Sequence, residues 1–198
     1  MNLAEAQPLL DALDGVAYLT GETGDILAVN RPGWDLFAEP NGATASDETM
    51  GQNLFSAMRG EAVRRAYAEV HRVVLSGERP WVSFEYRCDG PDIARRMRMS
   101  ISLVRSRDGP PSLLHQSQLL SAVPRPWMSL FEPERIVEMV KADTSLPVVN
   151  LCGFCQRVAW SAAEPRPQWV APETYYRQGG AADVRVSHGV CPECLDRL

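Results

Sequence analysis

Four of the chain's five cysteines fall in two pairs, Cys152-Gly153-Phe154-Cys155 and Cys191-Pro192-Glu193-Cys194, separated by 35 residues. Two sulfurs held two residues apart grip one metal ion from one side of a tight turn. A second such pair closes the tetrahedron from the other side, which is the all-sulfur arrangement that Zn²⁺ favours.

Three other chemistries compete for these residues. Disulfides belong to secreted scaffolds, and no export signal opens the sequence. A thioredoxin-like redox pair needs a helix N-terminus after a strand in an α/β unit; neither pair has that setting, and it would leave the second pair unexplained. Third, His188, three residues before Cys191, could replace one sulfur as ligand; the preferred reading places it beside the site as a hydrogen-bond donor.

A site of four thiolates keeps no position open for water or substrate. It therefore predicts a structural metal rather than a catalytic one. Trp160, Trp169, Tyr175 and Tyr176 supply apolar surface between the pairs, with Gly179-Gly180 as a turn. So short a segment holds little core, and metal binding is expected to provide much of its folding free energy.

Composition narrows the function classes. The 45% hydrophobic and 23% charged fractions fit an ordinary soluble domain, and no apolar run approaches a membrane span. The expected location is the cytoplasm. A net charge of −5 argues against nonspecific attraction to nucleic acid or an anionic membrane. From Val148 onward five arginines (157, 166, 177, 185, 197) balance five acids (164, 173, 183, 193, 196). Four thiolates on Zn²⁺ add about −2 to that balance, which makes the tail a poor phosphate binder. No nucleic-acid or membrane partner is expected.

The elements in front of the cysteines read as a separate domain. Leu3 to Leu13 has a loose helical spacing interrupted by Pro8. Val16–Thr20 and Ile26–Val29 form a hairpin, after which Asn30 is placed to cap a short helix carrying Trp34 and Phe37. Pro40 to Met50 reads as a surface loop. A longer helix, from about Gly60 to Leu75, repeats Val63, Tyr67, Val70 and Val74 on one face and ends at Ser76-Gly77. Three strands follow, at Trp81–Cys88, around Met97–Leu103, where apolar and polar residues alternate, and at Leu113–Leu120. Pro124, Pro126 and Trp127 open a connector, and Glu132-Pro133-Glu134 begins a helix containing Ile136, Val137, Met139 and Val140. The predicted class is α+β, with an antiparallel five-stranded sheet and flanking helices, followed by a small C-terminal zinc module. The predicted boundaries are 1–120, 121–147 and 148–198.

Three stretches carry a resemblance: Gly24-Asp25-Ile26-Leu27-Ala28-Val29-Asn30, Met50-Gly51-Gln52-Asn53-Leu54 and Ser76-Gly77-Glu78-Arg79-Pro80. In their order and spacing, Leu9 to about Leu120 resembles a PAS domain, the small sensory module of bacterial signalling proteins. The tail resembles a cysteine-rich extension that follows PAS domains in bacterial sensors, with a CxxC, a Trp and a Ser-His-Gly-x-Cys-Pro-x-Cys ending, here Ser187 to Cys194. Flavin-binding members that form a light-driven thiol adduct carry a cysteine directly after Gly-x-Asn. This chain has Leu54 there, so that photochemistry is not expected. Haem-binding members often take a histidine from the long helix, but His71 lies nearer its C-terminal end, the usual place falling at Ala66 and Tyr67. Haem and flavin are both disfavoured, and the ligand, if the domain holds one, is unknown. His115 shows no partner in the sequence.

Phe37, Phe55, Tyr67, Phe84 and Met99 are the candidates for lining a PAS-like ligand pocket; the alternative is that they fill the core and no ligand enters. Arg87, Arg95, Arg96, Arg98, Arg105 and Arg107 cluster on neighbouring strands and read as a solvated outer face or a partner surface. No phosphate-binding loop, nucleophile elbow or metalloprotease motif is present, and no catalytic constellation is identifiable. The expected function is a non-enzymatic cytoplasmic signalling or regulatory protein: a PAS-like domain with a structural zinc module acting through a protein partner or a homodimer. The alternative is a thiol-based redox or metal-stress sensor that uses the four cysteines.

Overall fold

The computed structural model describes residues 3–38, 43–106, 109–135, 145–160 and 168–197. They form two compact units. The first comprises Met1–Met58, Arg64–Glu85 and Met97–Leu120; the second comprises Arg59–Val63, Tyr86–Arg96 and Ser121–Leu198.

In the first unit, helix α1 (Leu3–Asp11) accommodates Pro8 in its interior and buries Ala6 and Leu10. Strands β1 (Val16–Thr20) and β2 (Ile26–Val29) form the expected hairpin, with Tyr18 opposite Val29. β1 is buried on both faces. Val16 and Tyr18 pack with Ile26, Val29 and Trp34 on one side, and Ala17 and Leu19 pack with Leu10 and Ala28 on the other. Alternation along the strand thus feeds two apolar layers, as period-2 geometry requires.

Asn30 departs from expectation. It stands at the N-cap of α2 (Arg31–Gly33), which runs on into a π-helical turn at Trp34–Ala38, but its side chain makes no capping bond. Instead the Oδ1 accepts from the Ala17 amide at 2.6 Å, and the Nδ2 donates to the carbonyls of Leu13 and Gly15 at 3.2 and 2.8 Å. A fully buried amide keeps its hydrogen-bonding capacity by stitching the backbone where α1 gives way to β1. Trp34 and Phe37 share a face, as their spacing implies, and meet the same cluster.

Two of the motif stretches meet in space. The Ile26 amide donates to Gln52 O, the Gly51 amide to Ile26 O, and the Leu54 amide to Gly24 O. The Asn53 Nδ2 donates to Asp25 Oδ1 and Thr23 O, while its Oδ1 accepts from the Phe55 amide and caps α4 (Leu54–Ala57). Gly24 is held at φ 89°, and a Cβ there would lie 2.5 Å from the Phe55 ring, so both backbone conformation and space demand glycine. Helix α3 (Ser46–Thr49) precedes this junction, and helix α5 (Glu61–Leu75) follows it.

Strands β3 (Trp81–Arg87), β4 (Ile93–Val104) and β5 (Ser112–Pro124) complete a five-stranded sheet of order β2-β1-β5-β4-β3. Met97, Met99 and Ile101 are buried, as the alternation predicts. β5 runs antiparallel to β1, setting Val16 opposite Ser117, Tyr18 opposite His115 and Thr20 opposite Leu113. The unit has the PAS-like α+β architecture that the motifs imply.

The second unit holds a separate four-stranded sheet of order β8-β7-β6-β9, built from β6 (Val148–Cys152), β7 (Val158–Trp160), β8 (Gln168–Val170) and β9 (Arg185–Gly189). β6 pairs antiparallel with β7 and parallel with β9. Helix α6 (Pro172–Arg177) places Tyr175, fully buried, in a core with Leu151, Val158, Val184 and Val186. A Cβ at Gly180 would lie 2.4 Å from the Tyr175 ring, so the glycine turn exists to let that aromatic in. Met128, Leu130 and Phe131, from the connector region, belong to this same core. The expected helix through Ile136, Val137, Met139 and Val140 lies outside the described residues.

The arginine cluster is not simply a solvated face. Arg87 pairs with Asp89, whose side chain is fully buried, and the Arg125 Nη1 reaches the same carboxylate at 2.9 Å. Arg98 meets Glu85 at 3.6 Å, and Arg107 is outside the described residues. A buried carboxylate requires such partners; here they come from β3 and, unforeseen from the sequence, from the residue after Pro124.

Candidate metal centre

The parallel pairing of β6 and β9 brings the two cysteine pairs together. Cys152 is the last residue of β6 and stands opposite Gly189 of β9, two residues before Cys191. The first pair sits in the β6–β7 hairpin. The Cys152 amide donates to Arg157 O at 2.8 Å and the Gln156 amide to Cys152 O at 2.9 Å. Gln156 takes φ 57°, a left-handed value that glycine usually supplies. Its side chain has a use that glycine lacks, because its Oε1 accepts from the Asp89 amide at 3.1 Å. The second pair opens α7 (Pro192–Leu195), with the Cys194 and Leu195 amides both donating to Cys191 O.

All four Sγ atoms lie within 4.8 Å of one another, and Cys155 Sγ and Cys191 Sγ are 3.6 Å apart. A tetrahedron with metal–sulfur bonds of about 2.3 Å has edges of about 3.8 Å, so the cluster has the size a single ion requires. The donors are two buried sulfurs, Cys152 and Cys191, and two half-buried ones, Cys155 and Cys194.

Electrostatics point the same way. The Cys152 thiol is lowered, chiefly by the hydrogen bond from Cys155 Sγ–H and then by backbone amides including that of Cys191, which lies 3.4 Å from the sulfur. Cys155 is raised by the same shared hydrogen bond. Burial pushes Cys194 up to about 12, and the Cys152 thiolate adds to that rise. The protein alone thus favours one thiolate and opposes the next. Bringing all four to the anionic state requires a cation at the centre, and the cluster can hold a metal ion.

Arg157 and Glu193 join the two cysteine turns through an ion pair at 2.6 Å. His188 stands on β9 opposite Leu151. Its Nδ1 is buried without a hydrogen-bond partner, and burial first, then Arg59, lowers its pKa while the Cys152 thiolate opposes that shift. The hydrogen bond that reaches Cys152 Sγ beside it comes from the Cys191 backbone. Cys88, the fifth cysteine, is not part of the cluster, and burial raises its thiol.

The five side chains nominated for a ligand pocket all belong to the first unit. A cleft of about 290 Å³ in the first unit is lined by Leu13, Val16, Leu36, Met97, Leu119 and, of the five, Phe37. Met99 is buried on β4, and Tyr67 and Phe84 meet each other edge-on at 5.9 Å. Phe55 lies edge-on to His71 at 5.0 Å.

That last contact leads to residues whose relation the sequence did not show. His71 and His115 are both buried, with ring centroids 5.0 Å apart. Forty-four positions separate them along the chain, and no local pattern links a helix face to a strand that distant. Both nitrogens of His71 and the Nδ1 of His115 lack hydrogen-bond partners.

No protein-family model matches this chain, and no curated protein matches it. Solved structures do. The PAS domain of BvgS from Bordetella pertussis is 16% identical over 60% of this chain and 86% of that one, with a TM-score of 0.46. The photoactive yellow protein domain of the sensor histidine kinase Ppr from Rhodospirillum centenum is 17% identical over 60% and 93%, with a TM-score of 0.43. A sensory box sensor histidine kinase from Vibrio cholerae gives 13%, 60%, 91% and 0.42. The PAS-like assignment stands on the sheet and the motif contacts described above rather than on these superpositions.

Proposed function

We propose that this chain is a cytoplasmic signalling or regulatory protein, in which a PAS-like sensory unit is joined to a structural zinc module and acts through contact with a protein partner or a second copy. The observation that carries the metal reading is the convergence of four sulfurs within 4.8 Å from two separate turns. Zinc suits an all-thiolate tetrahedron, and four protein ligands leave no open position. When bound, the ion supplies the charge that keeps all four sulfurs anionic. Cys152 and Cys155 hold it from the β6–β7 turn, Cys191 and Cys194 from the start of α7, and His188 borders the site. The role is non-enzymatic, and neither nucleic acid nor membrane is a partner. Among the described residues no helix is long and apolar enough to cross a bilayer.

Replacing Cys155 with serine tests this reading. The expected result is loss of stoichiometric zinc from the purified chain together with loss of folded signals from the second unit. A full zinc equivalent with unchanged stability would reject it.

One observation favours a second reading, a redox or metal-stress sensor. Cys155 and Cys194 are only half-buried, so an oxidant can reach a thiolate there. Zinc content before and after mild peroxide separates the two. Reversible release with disulfide formation selects the sensor; retention of the metal selects the structural role.

A further inference from the structure

His71 and His115 occupy the face between α5 and the sheet. The His115 ring is stacked on Tyr18, 4.5 Å between centroids and 9° from parallel, and its Nε2 lies 3.2 Å from Thr20 Oγ1. Phe55 meets His71 edge-on, 5.0 Å between centroids. From β1 the pair is faced by Tyr18 and Thr20, from α4 by Phe55, and along β5 and α5 by each other. Among the described residues no carboxylate or cation acts on either ring, and the only titratable neighbour that shifts His115 is His71 itself.

We propose that the His71–His115 pair makes the PAS-like unit proton-responsive: protonation of either imidazole disrupts the packing of α5 against β5 and opens that face of the unit. The inference deepens the sensory reading above by naming its input, and it rests on the geometry of the first unit without reference to zinc. A proton on His71 places an N–H⁺ among aromatic rings with no acceptor. A proton on Nδ1 of His115 does the same, since Thr20 serves only its Nε2. A second charge 5.0 Å from the first compounds the cost.

The direction in pH follows from linkage. Burial lowers His71 to about 4 and His115 well below its ordinary value, whereas the same residues titrate near 6.5 once exposed (about 6.5 in model peptides). The opened form therefore binds more protons, and the closed form is fully favoured above about pH 6.5 and loses ground as pH falls. With two histidines released, the opening constant rises up to about 100-fold per pH unit below that point.

Hydrogen exchange on the full zinc-loaded chain between about pH 7.5 and about pH 5, corrected for intrinsic rates, measures this directly in peptides from α5 and β5. The expected result is a two-proton slope in wild type, a one-proton slope in His71→Gln or His115→Gln, and none in the double variant. Should the double variant fail to fold, ¹³Cε1 shifts of the two rings in wild type decide. They should stay neutral in the closed form to about pH 5. In Cys155→Ser the slope should persist after zinc is lost, which separates this inference from the fate of the metal site. Protection of α5 and β5 that is flat with pH, imidazoles that titrate near 6.5 while the unit stays closed, or a slope that vanishes in Cys155→Ser would each overturn it.

Discussion

The two units solve the problem of stability by different means. In the PAS-like unit β1 is sandwiched between two apolar layers, and Ile101, Val74 and Leu113 are fully buried. Hydrophobic burial of that kind is enough to hold a sheet. The second unit has a four-stranded sheet of short strands, and its buried cluster draws on Met128, Leu130 and Phe131 from outside that sheet. Its two cysteine turns are joined, among the described residues, by backbone hydrogen bonds and an exposed ion pair, so a metal ion held by the four sulfurs would be the strongest tie between them. One unit should tolerate loss of the metal and the other should not.

The largest effect that tests this contrast is chelation or Cys155→Ser. Structural zinc contributes apparent binding free energies of about 10–16 kcal/mol in small modules, as large as the whole net stability of a typical domain, about 5–15 kcal/mol. Amide dispersion should collapse for the second unit and persist for the first. Collapse of both would erase the distinction.

Ile101→Ala should act in the opposite sense. Removing a fully buried side chain from β4 costs about 2–5 kcal/mol, read by denaturant unfolding of the first unit, with zinc content unchanged. Asn30→Ala comes next. It strips partners from the Ala17 amide and the Leu13 and Gly15 carbonyls, at a cost of about 1–3 kcal/mol, again confined to the first unit. The smallest change is Arg157→Ala, which removes the ion pair to Glu193 beside the cysteine cluster. Neither zinc stoichiometry nor thermal midpoint should move measurably, because exposed pairs are screened by solvent.

Much of this was legible in the chain because the signals are local. The alternation at Met97, Met99 and Ile101 fixes a strand with one buried face. Two CxxC turns announce sulfur pairs before any fold is known, and the glycine at Gly77, φ 81°, ends α5 as its position implies. What escaped depends on distant partners. The parallel pairing of β6 with β9, which superimposes the two turns, joins segments over 30 residues apart and has no periodic signature. Asn30 looked like a helix cap because caps are common there; its use as a backbone stitch depends on where β1 passes. The pocket nomination grouped five apolar residues by type; of these Phe37 lines the cleft described above and Tyr67 meets Phe84, contacts set by the face of the element on which each side chain stands. His71 and His115, each unremarkable alone, became a pair only when α5 lay across β5.

X-ray absorption at the zinc edge of the intact, metal-loaded chain tests the central claim most directly. Four sulfurs on one ion predict a single first shell of sulfur at about 2.3 Å with no light-atom scatterer. A mixed shell containing nitrogen or oxygen, or a chain that binds no zinc, would contradict it.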